Sequence, residues 1–239
     1  MQIYNERFYR KRHLRTNYSA EKILSCALQI LPEVTSAIDL GCGVGTWLSV
    51  LQQKGIKRIQ GVDGSWVSQE HLVIPKENFL EKNLDEKINL AERYDLAISL
   101  EVAEHLPADK ASTFVDSLTQ LSDMILFSAA IPYQVGKSHI NCQWPEYWKE
   151  IFAKKGFILF DVIRGKIWDD SKIPVWYRQN IFLFVNKEQI PALNLPDSSP
   201  APLAIVHPDT YLEMSEQYFT IKGTFHLFRR AVKKWLLCR

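Results

Sequence analysis

Three glycines at alternate positions, Gly41, Gly43 and Gly45 in the run AIDLGCGVGTWL, follow the acidic Asp39 and join an apolar stretch to an amphipathic one. Such a turn lets the main chain touch a ligand, because glycine tolerates positive φ and places no Cβ in the way. Ala37, Ile38 and Leu40 suit a buried parallel strand, and Thr46 to Lys54 suits the helix that packs back on it. Spacing decides the ligand class. A dinucleotide fingerprint needs G-x-G-x-x-G and seats a pyrophosphate on the helix N-terminus, whereas this chain reads G-x-G-x-G. A carboxylate at the strand end, from Asp39, repels phosphate and attracts ammonium, so the turn suits an amino-acid-bearing nucleoside.

A glycine turn alone is common in α/β proteins, and the ordered succession that follows carries more weight. The segment IQGVDGSW ends in Asp63, about 20 residues past the turn, where an acceptor for a ribose diol belongs. FLEKNLDE then supplies Asn83 and Leu84, and YDLAISLEVAEHLP supplies Glu101, Glu104 and His105. These residues resemble the class I methyltransferases that use S-adenosylmethionine, whose first motif has the form D-x-G-x-G-x-G. The resemblance covers Ala37 to about Phe160. It implies cofactor contacts at Asp39, Gly41, Gly43, Gly45, Asp63, Asn83, Leu84 and Glu101. Where such families place an acidic residue before an apolar one at the adenine, this chain has Asn83 before Leu84; the Asn side-chain oxygen still accepts from an amino group.

In open α/β sheets the acceptor surface is built by loops that follow the carboxyl ends of parallel strands. IPYQVGKSHINCQWPEYW carries Tyr133, His139, Asn141 and Trp144, and RGKIWDDSKIPVWYRQN carries Trp168, Trp176, Tyr177 and Arg178. Aromatic rings interleaved with polar tips suit a pocket that orients a small acceptor, so these residues are the candidate substrate contacts. Helix-to-sheet packing is the competing role, above all for Trp148. The loops resemble those of methyltransferases from bacterial glycan and secondary-metabolite clusters, which implies O-methylation of a sugar or related small molecule. A hydroxyl acceptor needs a base, and His139 and His105 are the candidates, with His139 favoured because its loop overhangs the methyl group. Two carboxylates and a histidine do not by themselves make a metal site, and none is assigned. Cys42 fills a tight turn.

The elements that must hold these residues read as an α/β, Rossmann-like, doubly wound and mostly parallel seven-stranded sheet, with an N-terminal helix and a C-terminal extension. Strands suggest themselves near Ala37–Leu40, Arg58–Val62, Asn78–Leu80, Leu96–Leu100, Met124–Ala129, Phe157–Val162 and Ile181–Val185, and an amphipathic helix starts at Ser19. A methyltransferase domain is expected over 1–188, its first 35 residues a basic segment and helix, with a Pro- and Ser-rich linker and a basic amphipathic helix over 189–239. The 239 residues, 46% of them hydrophobic, suffice for one core, and a net charge of +2 gives no reason to expect nucleic acid as a partner. Four cysteines without C-x-x-C spacing, and no apolar run long enough to span a bilayer, point to a reducing cytoplasm. In TFHLFRRAVKKWLLCR the residues Phe225, Phe228, Val232 and Trp235 share a helical face beside Arg229, Arg230, Lys233 and Lys234, which permits peripheral membrane contact. Competing readings are N- or C-methylation of a small molecule or macromolecule and a noncatalytic cofactor-binding module; the SLEV turn lacks the N/D-P-P-Y form associated with methylation of exocyclic amines on nucleic acid.

Overall fold

The computed structural model describes residues 6–193, 195 and 203–237. Most of the Pro- and Ser-rich stretch, and Cys238, lie outside them. Seven strands form one sheet: β1 (Ser36–Leu40), β2 (Arg58–Asp63), β3 (Phe79–Glu81), β4 (Leu96–Leu100), β5 (Met124–Ser128), β6 (Phe157–Phe160) and β7 (Phe182–Asn186). Their spatial order is β3-β2-β1-β4-β5-β7-β6, with β7 antiparallel to both neighbours. Because β1 is paired in parallel with β2 on one edge and β4 on the other, the winding reverses between β1 and β4. The crevice beyond the carboxyl ends of those two strands is where such sheets bind ligands.

Alternation along the strands divides the core between two faces. Leu96, Ile98 and Leu100 of β4 point to the face covered by α1 (Glu6–Leu28) and α2 (Thr46–Gln53). Ala97 and, on β5, Ile125 and Phe127 point to the face covered by α3 (Ala111–Leu121) and α4 (Pro145–Ala153). The leading helix starts well before Ser19, and among its described side chains Ser19, Ala20, Ile23, Leu24 and Ala27 are fully buried, in step with the apolar stripe. The third strand is only three residues long, paired Gly61↔Phe79 to Asp63↔Glu81, which explains its faint pattern. The sixth strand stops at Phe160, two residues short of the predicted Val162, since the chain turns there into α5 (Arg164–Ile167).

The chain beyond residue 188 is stitched to the domain. Arg164, buried against the Asp161 carboxylate, donates to the Leu203 carbonyl at 3.0 Å and to the Gln179 carbonyl at 3.1 Å. Leu203 itself is buried in the α3/α4 core. The His207 N–H donates to Gln179 Oε1, and His207 caps α7 (Pro208–Tyr218) by accepting from the Asp209 N–H. That helix was not anticipated, and α8 (Ile221–Leu237) follows it where the basic amphipathic segment was expected. Among the described residues no helix is long and apolar enough to cross a membrane.

At the opposite end of the sheet from the crevice, Asp95 binds the entry to β1 to the entry to β4. Its Oδ2 accepts from the Thr35 N–H and hydroxyl and from the Ser36 N–H and hydroxyl, all within 2.9 Å. Partial burial pushes the carboxyl up, but the donors of Thr35 and Ser36 outweigh it and hold the group below its ordinary value. A depressed carboxylate stabilises the fold above its unfolded-state pKa and loses that contribution as pH falls through the lower folded value. Asp95→Asn should therefore cost about 1–2 kcal/mol near neutral pH, after allowance for its partial exposure. The gap to the parent protein should close as pH falls below about 4, checked by urea unfolding across pH.

Candidate active site

The three glycines of the turn after β1 have distinct roles. All have positive φ, at 91° for Gly41, 54° for Gly43 and 86° for Gly45. A Cβ on Gly41 would fall 2.3 Å from Val102 Cγ2, and one on Gly45 would fall 2.7 Å from Ile74 Cγ1, so these two are small for the sake of packing. At Gly43 a Cβ would meet nothing within 4 Å. It is Gly43 that presents bare main chain to open space.

Asp63, at the end of β2, fixes the turn. Its Oδ2 accepts from the Gly43 N–H and its Oδ1 from the Gly64 N–H, both at 2.7 Å. Asp39 is buried to 2% exposure, and its Oδ2 has no hydrogen-bond partner. Burial, and then the neighbouring Asp63, push the Asp39 carboxyl well above its ordinary range. An orphaned buried carboxylate beside an open glycine turn fits a ligand that brings an ammonium group, which is the donor set of an amino-acid-bearing nucleoside. Cys42 is buried between them with its thiol pKa pushed up, chiefly by burial, in keeping with its packing role.

Asn83 is exposed, and its side-chain oxygen accepts from the Asp85 N–H at 3.1 Å, closing a local turn. The Lys82 N–H donates to the Asp63 carbonyl at 2.9 Å, so this turn lies at the end of β2. Leu84 is buried, in the α3/α4 core cluster that also holds Val62 and Ala103.

Glu101 follows β4 with a φ of 57°, an unusual conformation for a residue with a side chain. Its N–H donates to the Ser128 carbonyl, while its carboxylate accepts from Asn180 at 3.1 Å and Gln134 at 3.0 Å. Burial pushes its pKa up to about 7 against the opposing hydrogen bonds from Asn180, Ser128 and Gln134. Gln134 carries no signal in the sequence, and Asn180 stands out there only as a polar residue of the second acceptor loop, not as a partner of Glu101. Their partner lies 33 and 79 residues away, and no local pattern marks such a pairing.

Beside this network stand Glu104, His105 and His139. Glu104 is fully buried and neither carboxylate oxygen has a hydrogen-bond partner; its pKa is raised well above normal, first by burial and then by Glu101. His139 Nε2 lies 3.9 Å from Glu104 Oε1, and the His105 and His139 rings meet edge-on with centroids 5.0 Å apart. Burial, and then His105, lower the His139 pKa, which keeps the ring neutral. The loop is held in place by its main chain: the N–H groups of Ile140 and Asn141 both donate to the Glu104 carbonyl at 2.9 Å.

The two acceptor loops contribute unequally. On the first, Tyr133 and Trp144 are exposed, and Asn141 is buried with its oxygen accepting from Gln143. The second folds into α5 and α6 (Val175–Asn180) and packs on the α1/α2 face. Tyr177 is buried there, edge-on to Trp47 at 5.3 Å, with Trp176 half-buried beside it. Arg178 donates to the Ile173 and Trp168 carbonyls and to the Asp209 carboxylate, and Trp168 rests against the His207 ring at 4.4 Å. For Tyr177 and Arg178 these contacts make packing and tethering, rather than acceptor contact, the visible role. From this stretch it is Asn180 that reaches Glu101.

Sheet order, glycine turn and the acidic end of β2 define a Rossmann-like methyltransferase fold. Residues 8–162 match the family described as methyltransferase domain, and the chain belongs to that family, whose methyl donor is S-adenosylmethionine. No curated protein matches the sequence. Among solved structures, the magnesium protoporphyrin IX methyltransferase ChlM from Synechocystis PCC 6803 with bound SAM is 22% identical, with a TM-score of 0.53 over 73% of this chain and 81% of that one. Streptomyces venezuelae DesVI is 12% identical, with a TM-score of 0.56 over 77% of this chain and 99% of its own. The plantazolicin methyltransferase BpumL, in complex with a pentazolic desmethylPZN analog and SAH, is 15% identical with a TM-score of 0.50 over 73% and 86% of the two chains. At these identities the likeness is one of fold.

The unequal glycines give a direct test. Gly43→Ala places its methyl in open space and costs roughly 1–2 kcal/mol for the left-handed backbone, but should weaken S-adenosylmethionine binding by about tenfold or more through lost room. Gly41→Ala should cost about 3 kcal/mol or more in stability, from clash and strain together. Thermal melts and calorimetric titration of both variants separate the two effects.

Proposed function

We propose that the protein transfers the methyl group of S-adenosylmethionine to a hydroxyl of a sugar or other small molecule. The observation that carries this reading is the Glu104–His105–His139 cluster beside the crevice at the ends of β1 and β4, an arrangement suited to handling a proton. Asp39, Gly43 and Asp63 hold the cofactor, which when bound supplies an electrophilic methyl on a sulfonium centre. The chain then has to align a nucleophilic oxygen, exclude water and take up the hydroxyl proton. His139, held by the Glu104 carbonyl through the residues that follow it, is the proton acceptor favoured by position; His105 is more exposed. Exposed Tyr133 and Trp144 on the same loop supply ring faces for a sugar or aromatic acceptor. Methylation of nitrogen or carbon is the second reading, and turnover unaffected by loss of His105 and His139 would favour it.

The test is His139→Ala assayed with labelled cofactor against a panel of hydroxylated acceptors. Turnover should fall about 10²–10⁴-fold while cofactor binding is retained. Near-normal turnover in this variant would remove His139 from the reaction.

We also propose that α8 makes peripheral contact with anionic lipid. Phe225, Phe228 and Trp235 are exposed by 62%, 65% and 56% on one face of that helix, and the intervening sequence is basic. Because Leu203 belongs to the core, truncation at residue 202 would disturb the domain, and substitution is the cleaner test. Phe228→Glu with Trp235→Glu should abolish cosedimentation with phosphatidylserine vesicles; equal sedimentation of parent and variant would dismiss the contact.

A further inference from the structure

We propose that Glu104, His105 and His139 form a binding site for a divalent transition-metal cation, with open coordination positions facing the acceptor side of the crevice. One ligand atom from each of the three lies within 4.8 Å of the others. Small side-chain movements bring such a set to the separations that neighbouring ligands take around one ion. Two imidazoles and one carboxylate favour zinc, manganese, iron or cobalt over the all-oxygen preference of calcium and magnesium.

The polar groups of the cluster point to a ligand rather than to packing. The Glu104 carboxylate is fully buried, yet neither oxygen has a hydrogen-bond partner, a costly arrangement that a bound cation would offset. His105 Nδ1 lies 3.2 Å from the Ser138 carbonyl and donates to it, leaving the lone pair on Nε2. Metal-ligating histidines are oriented and fixed in tautomer by a second hydrogen bond of this kind. The loop between them is held against relaxation: Ser138 has a φ of 61°, and Ile140 and Asn141 anchor the following main chain to the Glu104 carbonyl. The 3.9 Å between His139 Nε2 and Glu104 Oε1 exceeds a hydrogen bond and leaves room for an ion between them.

The binding stands apart from the methyl-transfer reading, whereas its chemical consequence rests on that reading. A cation with three protein ligands and open positions acidifies a coordinated hydroxyl. The hydroxyl proton then passes to water, the oxygen forms its bond to the methyl carbon, and the sulfur leaves with the C–S electron pair. With the ion bound, His139 is its ligand and water takes the proton; in the metal-free chain His139 remains the proton acceptor.

The test uses the full chain stripped with a chelator. Manganese(II) is titrated and followed by electron paramagnetic resonance, and zinc(II) is titrated by calorimetry. The parent protein should bind one equivalent of each, zinc displacing manganese. His105→Ala, on the exposed side of the cluster, keeps the fold, and with His139→Ala and Glu104→Gln it should weaken binding by at least about tenfold, the loss expected even for an outer-shell partner. Absence of stoichiometric binding by the folded parent, or binding unaltered in His105→Ala and His139→Ala, would overturn the site. Cation binding without methyl transfer to any acceptor leaves the metal site standing and rejects the proposed function instead.

Discussion

The strand β1 is paired in parallel on both edges, and the connections on its two sides wind in opposite directions. Everything chemical in the molecule depends on this constraint. Loops leaving β1 and β4 have to diverge, and the crevice between them cannot be filled by either crossover. The glycine turn lies on one wall, with its geometry set by Asp63 through the Gly43 and Gly64 amides. Glu101, Glu104 and His105 lie on the other. At the far end of the same strands, the Asp95 carboxylate secures the entries to β1 and β4, so the reversal is fixed at its base while its open end remains available.

The site carries an electrostatic load that the fold alone does not offset. Asp39, Glu101 and Glu104 are carboxyl groups whose pKa values burial drives upward. Only Glu101 is satisfied by side-chain donors, from Gln134 and Asn180. Orphaned carboxyl groups at Asp39 and Glu104 cost about 1–3 kcal/mol each even when neutral. A protein tolerates such groups where something positive completes them, as the proposed cofactor's ammonium would at Asp39 and the proposed cation would at Glu104. The positive φ values of Glu101, Tyr133 and Ser138 place backbone strain on the same side of the molecule, where strained residues commonly gather around functional sites.

The C-terminal extension illustrates how a boundary drawn on composition differs from one drawn on packing. Pro and Ser enrichment after residue 190 reads as a linker, yet Leu203 and His207 are buried against the domain, held by Arg164, Gln179 and Arg178. Those partners carry no local signature of a distant docking strand. Beyond them α8 keeps Phe225, Phe228 and Trp235 exposed.

Local chemistry was legible in the sequence wherever the backbone itself imposes a pattern. Continuous apolar runs marked the central strands, period-3.6 hydrophobicity marked the buried stripe of α1, and glycine spacing marked the turn after β1, because only certain residues permit those conformations. What the residues touch across the sheet was decided by tertiary structure. Gly41 and Gly45 are small because Val102 and Ile74 press on them, whereas Gly43 is the one left open. Tyr177 and Arg178, aromatic and cationic in an expected acceptor loop, turn inward because α6 packs on the α1/α2 face. Glu104 meets His139 only because the Ile140 and Asn141 amides fold that loop back onto it. Sequence specifies conformational preference residue by residue, but long-range pairing depends on which surfaces the completed sheet leaves to be covered.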